Sequence, residues 1–259
     1  MEVKNNMRTN RISDIEEYII QHKNVSLDKL CEVFEVSKNT IRRDINELTN
    51  KGTIKKVYGG VALNEAPTLI PFNERSIKNI TSKSKIGEQC ANYINDGDVI
   101  FMDSGTTTLS VIDYLKDKQN ITIITNNLEI VVKSLDYSNL NIICLPGNLI
   151  RKTNSLVSVD TTTILRKYNI TKSFMASTGI SIECGITNSH PLESEIKKLA
   201  MEKSLSTYLL VDSSKFDHSS LVTYGKLEDI DYLITDKNPP KKYANFCYSN
   251  DISLVICDE

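Results

Sequence analysis

Two stretches of this 259-residue chain combine residue types and spacings that point to chemistry. In Ser37-Lys38-Asn39-Thr40-Ile41-Arg42-Arg43-Asp44-Ile45, a helix sets Ile41, Ile45 and Leu48 on one side at i, i+4 and i+7. Lys38, Asn39, Arg42, Arg43 and Asn46 are left on the other. An apolar stripe opposite a basic, amide-bearing face suits a helix that reads DNA, because the stripe packs inward while guanidinium and amide groups reach phosphates and base edges. Ser37 is a good N-cap for this helix and Gly52 a fitting stop. In the second stretch, Asp103-Ser104-Gly105-Thr106-Thr107-Thr108, the hydroxyls can donate to anionic oxygens and Gly105 lets a backbone come close. The first amides of a following helix add donors and a favourable dipole. That makes a phosphate cradle. The same Ser/Thr run also suits a plain N-cap and turn, and spacing alone weights the two readings equally.

The basic helix needs elements around it. Ile12, Ile15 and Ile19 predict one amphipathic helix, and after a break at Asn24 the run Ser26 to Phe34 predicts a second, with Glu35-Val36 turning into the third. Two helices joined by a tight turn, the second one basic, make a helix-turn-helix whose second helix lies in the major groove. Thr53 to Leu63 alternates around Gly59-Gly60 and predicts a β-hairpin wing, whose Lys55 and Lys56 meet phosphate. Residues 1 to 62 hold 11 Lys and Arg against 9 Asp and Glu, leaving 20 against 24 for the rest. Within 36 to 62, Lys38, Arg42, Arg43, Lys51, Lys55 and Lys56 are opposed only by Asp44 and Glu47. A net charge of −2 excludes a protein that coats nucleic acid indiscriminately and favours one that docks a small basic patch.

The length allows a second, larger core. Asn64 to Phe72 carries Pro67 and Pro71 and reads as an extended connector. The division expected is 1–63 for the DNA-binding domain, 64–75 for the linker and 76–259 for the second domain. Ser76 to Ile94 looks helical, after which short apolar strands near 98–102, 121–124, 140–145, 173–176, 207–211, 232–235 and 253–256 alternate with helices at 109–115, 128–135, 162–167 and 192–203. This order argues an α/β domain with a mostly parallel sheet, whose ligands bind at the carboxyl ends of strands. Thr125-Asn126-Asn127, Pro146-Gly147-Asn148 and Asp212-Ser213-Ser214-Lys215 follow strands and bring polar groups to that same edge. Lys215 can neutralise a phosphate, and Asp103 can accept from sugar hydroxyls or act as a base.

No apolar run approaches a membrane span and the N-terminus is polar without a signal-peptide core, so a soluble, cytoplasmic protein is expected. The six cysteines form no Cys-x-x-Cys pair and most sit in apolar runs, which reads as reduced core residues, with no metal or cofactor called for.

Nearly the whole chain resembles the DeoR-type transcriptional regulators. Arg11-x-x-x-Ile15, Ser37-x-x-Thr40-Ile41-Arg42-Arg43-Asp44-Ile45 and the Tyr58-Gly59-Gly60 turn match the family's N-terminal pattern. Phe72 and Arg75, Gly97-Asp98, Asp103 to Thr107, Thr125-Asn126, Gly179-Ile180, Gly185-Ile186-Thr187, Glu193-x-Glu195-Ile196-Lys197 and Asp212 to Phe216 match the rest. The resemblance implies a winged helix-turn-helix joined to a Rossmann-like sensor domain similar in fold to ribose-5-phosphate isomerase. It implies a phosphorylated sugar as effector, held by Gly105 to Thr108 with Asp103 and Lys215 near the sugar. The chain departs from the family pattern at Asn148, Ser158 and Thr171. A repressor that forms dimers or tetramers and engages repeated half-sites of double-stranded DNA is the mechanism expected. The rival is a sugar-phosphate isomerase-like enzyme with a fused DNA reader, using Asp103 and Lys215 for proton transfer. Against it stands the sparse acid-base equipment of three histidines, His22, His190 and His218.

Overall fold

The computed structural model describes residues 2–50, 54–63 and 70–257, which divide into two compact units, 1–68 and 69–259. The first unit runs α1 (Glu2–His22), β1 (Asn24–Ser26), α2 (Leu27–Phe34), α3 (Lys38–Asn50), β2 (Ile54–Val57) and β3 (Gly60–Leu63). Ile12, Ile15 and Ile19 of α1 close on Leu30 of α2, Ile41, Ile45 and Leu48 of α3, and Ile54 and Val61 of the hairpin. The i, i+4, i+7 stripe is thus the seam of a three-helix core. Ser26 caps α2 by accepting from the Lys29 amide, and Glu35 ends that helix in the left-handed region at φ 50°. Gly52, the expected stop of α3, and Asn64 to Leu69 of the connector lie outside the described residues.

The strand β1 was not anticipated. It pairs with β3, making the wing a three-stranded sheet in the order β1-β3-β2. This explains both wing glycines. Gly59 turns the hairpin at φ +76°, whereas a Cβ on Gly60 would stand 2.3 Å from the Val25 carbonyl oxygen of the neighbouring strand.

The second unit begins earlier than the extended connector suggested. Phe72–Ile77 is a short helix, α4, anchored by buried Phe72, and Asn79 at φ 55° breaks it from α5 (Ile80–Ala91). The single helix expected over 76–94 is therefore two. There follow β4 (Val99–Met102), α6 (Thr106–Leu109), β5 (Ile121–Thr125), α7 (Leu128–Lys133), β6 (Leu140–Cys144), the hairpin β7 (Asn148–Ile150) and β8 (Ser155–Val157), α8 (Thr161–Leu165) and β9 (Ile170–Ala176). The chain continues through β10 (Gly179–Ser181), β11 (Gly185–Asn188), α9 (Pro191–Lys203), β12 (Ser204–Leu210), β13 (Val222–Gly225), β14 (Tyr232–Thr235), α10 (Lys241–Ser249) and β15 (Ser253–Ile256).

Seven of these strands form one sheet in the order β15-β14-β12-β9-β4-β5-β6, with every pairing parallel. Its two faces carry separate apolar clusters, one around Phe101, Met175, Leu209 and Leu233, the other around Ile100, Phe174, Tyr208 and Ile234. Alternate residues of one strand thus serve opposite layers, as expected for a sheet covered on both sides. The chain runs outward through β5 and β6, then returns to the other side of β4 with β9. The crevice beyond the carboxyl ends of β4 and β9 is the switch point at which such sheets bind ligands. A smaller antiparallel sheet, β10-β11-β13, and the β7–β8 hairpin were not read from the sequence.

The cysteines divide. Cys90, Cys247 and Cys257 are buried and Cys31 packs against the first unit's core, but Cys144 and Cys184 are exposed, so for these two the core reading is corrected. No helix among the described residues is long and apolar enough to cross a membrane.

Candidate functional site: a basic helix and an anion cavity

In the first unit, Ser37 caps α3, with its hydroxyl accepting from the Thr40 amide at 3.3 Å and lying 3.0 Å from the Thr40 hydroxyl. Lys38, Asn39, Arg42 and Arg43 are exposed on the outer face, and Lys38 pairs with Asp28 of α2 at 2.5 Å. Asp44 does not offset that face as the charge count assumed. It is buried and accepts from Arg11 Nε at 2.8 Å, which locks α3 to α1 and leaves the outward charge more basic. On the wing, Lys55 and Lys56 are exposed, and Tyr58 projects from the turn fully exposed.

In the second unit, the Asp103 to Thr108 loop leaves β4 and opens α6. Asp103 is completely buried and its carboxylate is fully engaged. One oxygen accepts from the Gly105 amide at 2.7 Å and the Thr108 hydroxyl at 3.1 Å; the other accepts from the Ala176 amide at 2.8 Å and from Lys197 in an ion pair. The residue expected to face the sugar instead builds the loop and ties β4 to the end of β9. Thr108 is spent the same way, donating to Asp103 and the Gly105 carbonyl. Gly105 has an ordinary extended backbone at φ −82°. It is glycine because a Cβ there would meet the Ala176 Cβ at 2.4 Å.

At the switch point a cavity of about 30 Å³ is lined by Ser104 and Gly105 from the β4 loop, Ala176, Ser177 and Thr178 from the end of β9, and Asn188 and Ser189 before α9. Glu193 and Lys197 of α9, Arg75 of α4 and Thr153 of the hairpin complete the wall. Of the residues expected there, Ser104 and Gly105 do line it, whereas Asp103 and Thr108 stand behind it. Thr106 and Thr107 lie buried in the first turn of α6. Asn126 is also buried; its carbonyl and the Asn127 amide group hold the hairpin and the loop, accepting from the Leu156 amide at 2.8 Å and donating to the Gly105 carbonyl at 3.2 Å. Gly147 meets the hairpin, since a Cβ would stand 2.4 Å from the Val157 backbone. Lys215 sits in the turn after β12 and does not line this cavity.

The lysine on Asp103 is Lys197, which also donates to the Ala176 carbonyl at 2.8 Å and lies 5.2 Å from the centre of the Tyr224 ring. Glu193, one helical turn earlier, is buried and accepts from Ser155 at 2.5 Å and Asn188 at 3.0 Å. Burial alone would raise its pKa, but these hydrogen bonds, one from Thr153 and the Lys197 charge outweigh it and hold the carboxyl below its ordinary value. Arg75 donates through Nε to the Ile70 carbonyl at 3.0 Å, and burial pulls its pKa down against the opposing pull of Glu193 and Asp103. The Ser189 hydroxyl, buried on the wall, has no hydrogen-bond partner among the described residues. Arg75, Glu193 and Lys197 match the family pattern in sequence without standing out there as site residues. The signal for the last two was present: Glu193 and Lys197 share a helical stripe with Ile196 and Ala200, so two charges sit on the inward face.

The histidines hold no triad. His22 stacks on Tyr18 and bonds its carbonyl at 2.9 Å, His190 precedes α9, and His218 is exposed.

A winged helix-turn-helix with an exposed basic helix, followed by a doubly wound unit with a small polar cavity at its switch point, defines a two-unit DNA-binding regulator. The DeoR-like helix-turn-helix domain matches residues 11–66 and the DeoR C-terminal sensor domain residues 78–237, and the chain belongs to this family of transcriptional regulators. It is 46% identical over 250 residues to the HTH-type transcriptional regulator IolR of Bacillus subtilis, covering 96% of this chain and all of that protein. It is 29% identical to the glycerol-3-phosphate regulon repressor of Escherichia coli, over 96% and 99% of the two chains. Among solved structures, ribose 5-phosphate isomerase A of Methanocaldococcus jannaschii is similar at 16% identity and a TM-score of 0.40, over 54% of this chain and 55% of that one, a likeness that carries no functional argument.

Proposed function

We propose that the protein binds operator DNA through Ser37 to Arg43 of α3 and the wing residues Lys55, Lys56 and Tyr58, and that a phosphorylated sugar bound in the second unit controls this binding. The observation that carries the sensor half is the cavity. Among the described residues, the Ser189 hydroxyl is buried on its wall without a hydrogen-bond partner, and the guanidinium of Arg75, lying 5.4 Å from the centre of the Phe72 ring, reaches the same space with only its Nε donating a hydrogen bond. Orphaned donors at a concave site call for an oxyanion. About 30 Å³ holds roughly two waters, too little for a sugar, so on this reading only part of the phosphate enters and the sugar carbons lie toward the open side.

Ser104, Gly105, Arg75, Ser189 and Lys197 are the phosphate contacts on this reading, and Asp103, Thr108 and Asn127 shape the loop beneath them. Regulation of carbohydrate metabolism follows from the family and from relatives such as the glycerol-3-phosphate regulon repressor. The first 63 residues serve as the DNA reader, and two or four copies engage repeated half-sites. The enzyme reading has lost its acid-base pair, because Asp103 is locked by four donors and Lys215 does not share its cavity.

Thermal unfolding in the presence of phosphorylated sugars tests the sensor. A ligand of the folded state raises the midpoint, and Arg75→Leu abolishes the rise. Equal shifts from the unphosphorylated sugars would refute the phosphate contact.

A further inference from the structure

A groove of about 570 Å³ lies between α9 and β13 and shares no lining residue with the cavity at the switch point. Thr223, Tyr224 and Gly225 line it in succession. Alternate side chains of a strand point to opposite faces, so three consecutive residues mean that the groove follows the strand's edge. That edge is open. The small sheet runs β10-β11-β13, and β13 pairs only with β11 among the described residues. The opposite edge is closed, because the His218 amide donates to the Ile180 carbonyl at 3.3 Å and Phe216 bridges Ile180. An open edge presents unpaired backbone groups that a further strand can satisfy. No proline or charged residue stands between Val222 and Gly225 to guard it, and Leu221, just before the strand, is exposed. The pairing with β11 is irregular beside Tyr224, whose hydroxyl reaches inward to the Ala176 carbonyl at 2.9 Å.

Helix α9 flanks the middle of this edge. Its Met201 lies against β13, where a Cβ on Gly225 would stand 2.9 Å from the Met201 Cε. Lys198 and Glu202, on the same turn, are exposed and form no ion pair among the described residues, not even with each other. One cation and one anion a helical turn apart favour neither an acidic nor a basic partner. Under a two-fold axis they complement themselves, since two antiparallel copies of α9 bring Lys198 of each opposite Glu202 of the other. The same axis sets β13 antiparallel to its own copy, which is the arrangement that pairs two open edges.

We propose that a second copy of this chain docks in the groove between α9 and β13 about a two-fold axis, with β13 pairing antiparallel to its counterpart and Lys198 meeting Glu202 of the partner subunit. This rests on the oligomer reading above and gives it a place. The interface then lies on the helix whose Glu193 and Lys197 line the switch-point cavity, and Tyr224 joins the two through the Ala176 carbonyl.

Sedimentation velocity of the full chain over a concentration series tests it. Lys198→Glu and Glu202→Lys should each weaken self-association about tenfold or more, because like charges then face each other twice across the axis. Both positions are exposed on a helix, so folding is not at risk. An equimolar mixture of the two variants restores opposite charges at both contacts, and so does the double variant Lys198→Glu/Glu202→Lys. Each should return association to within about threefold of the wild type, a rescue that a merely weakened helix would not show. A self-associating wild type whose affinity survives both reversals, or reversals rescued by neither the mixture nor the double variant, overturns this interface while leaving an oligomeric regulator standing. A wild type that stays monomeric across the series takes down the oligomer reading and this inference with it.

Discussion

Replacing Lys197 with Met removes a charge while keeping an unbranched side chain of similar length; it deletes the ion pair that supports the Asp103 to Thr108 loop, together with the bond to the Ala176 carbonyl, which still accepts from the Tyr224 hydroxyl. The Lys197 side chain is 5% exposed and that of Asp103 is 1% exposed, so solvent screens the pair little. Breaking a buried pair by removing one partner costs about 3–5 kcal/mol, because the remaining charge is left buried and uncompensated. Asp103 keeps its bonds from Gly105, Thr108 and Ala176, which places the loss near the lower end, about 3 kcal/mol. That is a large share of a domain's typical stability of about 5–15 kcal/mol. The chain has no tryptophan and 11 tyrosines, nine of them beyond residue 68, so tyrosine ellipticity during urea unfolding follows the second unit. Adding Asp103→Asn should cost far less than the two single losses combined, since the double variant leaves no orphaned charge. A loss under about 1 kcal/mol for Lys197→Met, the worth of an exposed pair, or strict additivity in the double variant, would refute the reasoning.

Gly60→Ala should destabilise the first unit more than Gly59→Ala, because the new Cβ meets the Val25 carbonyl at 2.3 Å whereas at Gly59 only the backbone angle resists; equal unfolding midpoints for the two variants would contradict this. Arg42→Ala should cost about 1–3 kcal/mol of operator affinity and relax sequence preference, while Lys55→Ala should weaken all DNA alike and reduce the salt slope by about one; gel-shift titrations at several salt concentrations separate the two. Lys83 is pushed down to about 8, chiefly by burial, so between pH 8 and the ordinary 10.5 the folded state binds fewer protons than the unfolded state and stability climbs with pH. Below pH 8 both states are protonated and the buried ammonium exerts its full penalty. Lys83→Met should remove that residue's share of the climb in denaturation midpoints, and an unchanged slope would exclude Lys83 as a source.

The reader was legible because its stripe is long and periodic: Ile41, Ile45 and Leu48 can be buried together only in a helix, and they are. The alternation of strands and helices likewise survives in the parallel sheet, with shifts at element ends. Short elements escaped notice. The strand β1 has three residues, and β7, β8, β10 and β11 are three or four long, too few to show a period. Helix α10 buries Tyr243 and Cys247 at i and i+4 among polar neighbours, a stripe too weak to predict a helix. In the site, the loop was placed but its members' duties were not. A carboxylate following a strand looks available until the chain is folded, and only tertiary structure brings the Ala176 amide and Lys197 onto Asp103. For the same reason the sequence alone does not bring Lys197 to the cavity wall, and Arg75, which falls within the linker by sequence, lines that wall too.

The central claim is that occupation of the cavity by a phosphate ester changes how tightly the basic helix holds DNA. Fluorescence anisotropy of labelled operator DNA, titrated with the full chain with and without phosphorylated sugars, measures this directly. The coupling expected for an allosteric pair is about fivefold or more in operator affinity, produced by a phosphorylated sugar and not by its unphosphorylated counterpart, and lost in Arg75→Leu. Operator affinity that stays constant while a phosphorylated sugar demonstrably occupies the second unit would contradict the claim.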